Sequence, residues 1–540
     1  MKKLKRYAAL LLALTLVAGL LAGCRREDSL SFRVGFGRVP ATLDPALASA
    51  DEEKIVVSHL FENLMKLQSD GSGGTTAVNG MARSYQCNAT AEGQETYTFK
   101  LRSATWSDGT KVTAQDFVYA WKRLVAPETG SKNAKLLDMV AGYTAARAGD
   151  AEALQVSAPD EETFVVALSG RCPYFIDSVC TAAATMPVQS AAAAQENWSM
   201  SASTLVTNGP YTVSSWEGDT LALTQSADYH DKRRLGPENL TFRFTADAKT
   251  ANSLYDRGEV DFVLGLTEEA IAKKIDSWTP DSYPETSVVL LNQLSSLTSN
   301  ENVRRAMGLV IDRNAIAELL GARTHPAAEG LVTWGIRSTV GGQFRDLGSA
   351  VDNDSENYEK NCQTARELMQ AAGYTAGALA KLGTVTMLYE SDGITDSLAA
   401  LLQKTWTEKL GLNVTLQGVT TAQIDQALAR GEYTIAALRV SSDRNDATGF
   451  LNSWRKGNED NYANFYSSAY DMLLRVAAVS VSQEARDAYL EDAERLLLEQ
   501  GNVIPLYYST ISWSLSEHYT GVFGDGLGRY FFYAVHKASK

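Results

Sequence analysis

The stretch GLNVTLQGVTTAQIDQALARGEYTIAAL, residues 411–438, constrains the fold more than any other part of the chain. It reads as strand, helix and strand in 28 residues. That is the size of a βαβ unit, in which parallel strands need a helical crossover and the sheet is covered on both faces. The stretch KTANSLYDRGEVDFVLG, residues 249–265, gives a second helix that delivers Gly-Glu-Val-Asp into a strand. Two such units far apart in the chain predict two α/β lobes. Ligands in folds of this class bind outside the carboxyl ends of the strands.

The remaining pattern alternates between strand and helix periods to the end of the chain. Strand-like runs include SFRVGF (31–36), YTFKLR (97–102), SVVLLN (287–292), TVTMLY (384–389) and VIPLYY (503–508). Helical periodicity predicts helices over 51–66, 113–125, 302–320, 358–372, 394–410, 467–478 and 482–500. There is no low-complexity domain and no long linker.

The N-terminus reads as a targeting segment. Lys2, Lys3, Lys5 and Arg6 precede an apolar run from Tyr7 to Leu21 that is too short for a spanning helix. The run ends in Leu21-Ala22-Gly23-Cys24, the order of a bacterial lipobox, so Cys24 is the expected lipidation site. Diacylation buries many methylenes, each contributing about 0.8 kcal/mol, and tethers the chain outside the cytoplasm. Cleavage removes four of the 50 basic residues and leaves 46 against 64 acidic ones, a net charge of −18. Such a balance argues against a nucleic-acid partner or a basic membrane-docking face. Cys172 and Cys180 bracket PYFIDSV and are either a disulfide or two buried thiols.

The segment TYTFKLRSATWSDGTKVTAQDFVYAWKR (96–123) looks at first like a catalytic site. Its residues have structural tasks instead. Tyr97, Phe99 and Leu101 alternate as a half-buried strand, and Asp108-Gly109 is a turn. Thr113 and Asp116 begin a helix, and Phe117, Val118, Trp121, Leu124 and Val125 share one helical face. None of the five histidines sits in HExxH or another close metal-ligating pair, so no metal and no cofactor is expected. The chain has no GxSxG elbow, SxxK motif or P-loop. Counting does not remove a glycosidase-type carboxylate pair, but no neighbouring residues single one out. The chain is therefore read as a non-enzyme, with a secreted hydrolase as the weaker alternative.

Several segments, in order, resemble the extracellular solute-binding proteins of family 5, the receptors of oligopeptide and dipeptide ABC importers. They are ATLDPAL (41–47), YTFKLRSATWSDGTKVTAQDFVYAWKR (97–123), CPYF (172–175) and NGPYTVSSWEGDTLALTQSADYH (208–230). YDRGEVD (255–261), ENVRRAMGLVIDRNAI (301–316), NFYSSAYDMLL (464–474) and VIPLYY (503–508) continue the series. The resemblance implies a two-lobed periplasmic-binding-protein-like α/β fold of type II with an extra domain inserted in the first lobe. The implied division is a signal peptide (1–23), lobe I segments (24–49, 199–285 and 501–540), the inserted domain (50–198) and lobe II (286–500).

The resemblance also implies a function and a site. The receptor, a monomer, would enclose a peptide between closing lobes and deliver it to a transmembrane permease. Main-chain bonds would hold the peptide from Ser49, Ala50 and Asp51 on one side and from Val440 and Ser441 on the other. Asp443 would pair with the free ammonium. The sequence departs from the family pattern at Val440, where an aromatic residue is usual, and at Ala447, where proline is usual. Ser226 and His230 likewise replace an asparagine and a tryptophan. The departure at Val440 keeps a non-peptide solute (an oligosaccharide, a nickel complex or an opine) as the alternative ligand.

Overall fold

The computed structural model describes residues 29–71, 74–90, 93–273, 278 and 280–539. The signal segment and Cys24 lie outside the described residues.

Two principal sheets organise the chain. The first has six strands in the order Trp513–Leu515, Phe262–Leu264, Ser31–Phe36, Asn239–Phe244, Thr220–Gln225 and Tyr211–Glu217. Its three central strands are parallel and its edges antiparallel. The second has five strands in the order Asn413–Val419, Thr384–Glu390, Ile435–Ser441, Asp281–Leu291 and Val503–Ile511. The predicted βαβ unit forms here, with the helix Thr421–Arg430 between the strands 413–419 and 435–441. Both of these strands run parallel to Thr384–Glu390, which lies between them.

The apolar run Val288–Leu291 is explained by burial on two faces. Val289 and Leu291 enter one hydrophobic cluster with Ile435, Ala437 and Met387, while Val288 and Leu290 enter another with Ala436 and Leu388. A strand with no solvent face carries no polar alternation. Side chains from the stretch 50–198 pack into the core of the six-stranded sheet. Trp121, Phe164 and Phe175 share one cluster with Phe32, Phe242 and Phe532 of the six-stranded sheet and its cover.

Strand Asp281–Leu291 begins before residue 286, and Val503–Ile511 pairs along it as the edge of the five-stranded sheet. The chain enters the six-stranded sheet only at Trp513. Two helices are shorter than their periodicity. The helix over 51–66 stops at Leu60, whose carbonyl accepts the N–H of Gly209 at 2.9 Å. The helix over 302–320 is two, Glu301–Leu309 and Arg313–Leu320, because the Asp312 side chain caps the second through Ala315 N–H at 3.0 Å.

The conspicuous motifs turn out to be structural ion pairs and packing. Arg123, at the end of the 96–123 segment, donates from Nη1 to Asp44 Oδ1 at 2.9 Å, so it holds the Leu43-Asp44-Pro45 turn. Asp261 of the YDRGEVD motif accepts two bonds from the Arg33 guanidinium, at 2.9 and 2.8 Å. The Asp116 carboxylate accepts the Thr113 N–H at 2.7 Å, one half of a capping box. Asp108 is exposed and accepts from Thr110 and Gln189, and Gly109 has φ of +86°. Trp121 is fully buried and donates from Nε1 to Thr185 O at 2.9 Å. Cys172 and Cys180 are buried free thiols, not a disulfide.

These roles make the segment a stability element. Trp121→Ala should cost about 3–5 kcal/mol in urea unfolding. Asp108→Asn should cost no more than about 1 kcal/mol. Equal losses for the two would contradict the assignment of Trp121 to the core and Asp108 to an exposed turn.

Candidate functional site

A cleft of about 910 Å³ opens between the two sheets' domains. On the side of the six-stranded sheet it is lined by the hairpin residues Asp70 and Thr75, by Tyr174 and Asp177, and by Gly524–Gly526. On the other side it is lined by Ser282, the loop around Arg337, and Asn445 and Asp446. Among the described residues of this lining, Pro173 and Tyr174 are the only large apolar side chains. The volume falls in the range of small-molecule and cofactor sites.

The five-stranded sheet offers this region an open edge. Strand Ile435–Ser441 pairs with Asp281–Leu291 along its whole length, down to Ser441 opposite Glu285. Its parallel neighbour Thr384–Glu390 reaches only Ala437. Among the described residues no strand pairs with Leu438–Ser441 on that second side. A strand that outruns its neighbour leaves backbone donors and acceptors ready for an added strand.

The predicted contact residues gather beside the cleft, and none of them lines it. Val440 and Ser441 end the open strand, with Val440 half-buried and Ser441 exposed. Asp443 follows in the loop, its side chain 40 % exposed. Arg444 donates from Nε to Asp443 Oδ1 at 2.8 Å. Burial pushes the Asp443 carboxyl up, but the charge and hydrogen bond of Arg444 outweigh it and hold the group below the ordinary carboxylate range. The ammonium of Lys54 acts in the same direction across the cleft. Asp443 is thus an ionised, half-open carboxylate.

Ser49, Ala50 and Asp51 form the start of helix Asp51–Leu60. The N–H groups of Ser49 and Ala50 donate to Glu53 Oε2 at 2.9 and 3.0 Å. In this structure both N–H groups serve the helix cap. Capping a helix start satisfies its orphan donors, and Glu53 meets that need here. Asp51 does face the second sheet. Tyr283 Oη donates to Asp51 Oδ1 at 3.3 Å, and Lys54 lies 3.7 Å away. Burial pushes the Asp51 pKa up to about 6, against the pull of Lys54 and Tyr283.

Sequence reading missed Arg444. It belongs to the same loop as Asp443, yet its guanidinium is only 5 % exposed and reaches across to Asp138, Tyr174 and Lys135. A lone arginine next to an aspartate carries no periodic signal. It missed Arg337 as well, which bonds the carbonyl of Thr75 on the opposite wall. Ser226 and His230, placed where the family has other residues, lie elsewhere. His230 Nε2 is 2.6 Å from Glu62 Oε2, in a network with Tyr229 and Lys66.

Two α/β lobes with a polar cleft between them, and loops of both meeting at its rim, define the architecture of a solute-binding protein. A family model described as bacterial extracellular solute-binding proteins, family 5, matches residues 76–462, and the chain belongs to that family. It is 29 % identical over 483 residues to the periplasmic oligopeptide-binding protein OppA of Escherichia coli, covering 86 % of this chain and 85 % of that one. It is 29 % identical over 484 residues to the periplasmic murein peptide-binding protein MppA of the same species, covering 87 % and 86 %. The solved structure of Burkholderia pseudomallei OppA is similar in fold, with a TM-score of 0.75, 24 % identity, and coverage of 95 % of this chain and 100 % of that one.

The raised pKa of Asp51 has a pH signature. The folded state binds the Asp51 proton more tightly than the unfolded state, where the value is about 4. Stability therefore falls as pH rises from about 4 to about 6, by up to about 3 kcal/mol. Asp51→Asn should flatten this part of the stability profile and raise Tm at pH 7. An unchanged slope between pH 4 and pH 6 would show that Asp51 titrates normally.

Proposed function

We propose that the chain is a receptor, tethered to the extracytoplasmic face of the membrane through Cys24, that captures oligopeptides or dipeptides between its lobes. It acts as a monomer and delivers its ligand to the permease of an ABC importer. Membership of the family and the named peptide ligands of OppA and MppA support the class. The observation that carries the peptide assignment is the open edge at Leu438–Ser441, one residue short of Asp443.

The chemistry follows from that placement. An extended peptide adds to the open edge through main-chain bonds, which fix it without reading its side chains. Its ammonium meets the ionised Asp443 carboxylate, whose exposed side retains acceptor capacity beyond the bond from Arg444. The side chains project toward a cleft of polar and glycine residues, where bridging waters serve nearly as well as direct bonds. Val440 favours the second reading, a non-peptide solute, because it offers no aromatic face over the bound backbone.

Removing the charge at Asp443 separates the readings. Asp443→Asn should weaken binding of trialanine by at least about tenfold in calorimetric titration, and binding of N-acetyl-trialanine much less. Equal loss for both would remove the ammonium role of Asp443.

A further inference from the structure

We propose that Arg444 is the latch that couples occupation of Asp443 to closure of the lobes, a role that rests on the cleft's being the ligand site. Arg444 arises from the loop that follows strand Ile435–Ser441, yet most of its donors are used on the opposite wall. Nη1 donates to Asp138 Oδ1 at 3.1 Å and to Tyr174 Oη at 2.9 Å, and Nη2 donates to Lys135 O at 3.1 Å. The guanidinium also lies over the Tyr174 ring, 5.3 Å from its centre. On its own side Nε donates to Asp443 Oδ1 at 2.8 Å, and Nη2 also reaches Asp443 Oδ2 at 3.4 Å. One planar fork is thus shared between the ligand-facing carboxylate and the far wall. A point charge such as lysine cannot make that set of bonds.

The rest of the loop travels with it. Asn445 N–H donates to Ser178 Oγ at 3.2 Å, and Lys135 itself forms an ion pair with Asp460. Tyr174 and Asn445 line the cleft, so the latch is part of its wall. Parting the lobes breaks every bond from Arg444 to Asp138, Tyr174 and Lys135 and leaves the guanidinium only its two bonds to Asp443.

Charge balance supplies the coupling. Asp443 and Asp138 share the single positive charge of Arg444, and Lys54 acts on Asp443 from the opposite lobe. A cation bound at Asp443 satisfies that carboxylate and leaves the guanidinium to Asp138. The ligand then stabilises the closed arrangement more than the open one, which is what a population shift requires.

Small-angle scattering and calorimetry on the purified protein test this. Trialanine should reduce the radius of gyration of the wild type. Arg444→Ala should have a larger radius of gyration than the wild type before peptide is added. It should also bind trialanine at least about tenfold more weakly. Asp138→Asn leaves the Asp443–Arg444 pair and the bonds to Tyr174 and Lys135 in place, removes only the charge on the far wall, and should shift both readouts the same way. Arg444→Lys should not restore them. If Arg444→Ala and Asp138→Asn match the wild type in radius and affinity, the latch is overturned. If the wild type binds no trialanine, the peptide reading fails. The radii of wild type and Arg444→Ala without peptide then still decide the latch, a larger radius for the variant supporting it and equal radii overturning it.

Discussion

The antiparallel pairing of Asp281–Leu291 with Val503–Ile511 is the constraint on which the rest of the structure depends. It forms one flank of the five-stranded sheet, and both of its strands lead toward the other lobe. Val503–Ile511 is separated from the edge strand Trp513–Leu515 of the six-stranded sheet by Ser512 alone. Ser512 accepts from Gly265 N–H at 2.7 Å through its carbonyl and from Leu266 N–H at 2.9 Å through its hydroxyl. Asp281, at the start of the partner strand, accepts from Trp513 Nε1 at 2.6 Å and from Tyr530 Oη at 2.7 Å. The crossover is thus narrow, paired and pinned at both ends. Such a connection lets two rigid sheets rotate about a few residues while each keeps its own core.

That geometry explains why the interesting chemistry lies in loops. The strands of both sheets are largely covered, and their buried faces are apolar. One convergence of polar groups lies where strands end and loops from the two lobes meet. Asp443 and Arg444 follow directly from the open end of Ile435–Ser441, and Asp138 and Tyr174 approach from the other side. A buried arginine shared between two carboxylates is costly to desolvate unless its donors are met, and here Asp443, Asp138, Tyr174 and a carbonyl meet them.

Much of the fold was legible in the sequence because it rests on periodicity. The βαβ unit at 411–438, the amphipathic helix over 113–125 and the alternating strand at 97–102 each announce themselves by spacing. The errors came where a tertiary contact cuts across a local pattern. Gly209 takes the carbonyl of Leu60 and ends a helix whose apolar residues continue, and Asp312 starts a new helix inside a continuous periodic run. The site was legible only in part. The motif proposes Asp443, but Arg444 acts through groups about 300 positions away, at Asp138 and Lys135. The reach of Glu53 back over its helix start to the N–H groups of Ser49 and Ala50 is a side-chain choice that spacing alone does not fix.

The central claim is that the cleft between the lobes takes a free-amine peptide. Native mass spectrometry of the purified protein, incubated with equimolar trialanine, maltotriose and a nickel–histidine complex, tests it most directly. The account predicts a one-to-one adduct with the mass of trialanine. An adduct with the sugar or the nickel complex in place of the peptide would contradict it.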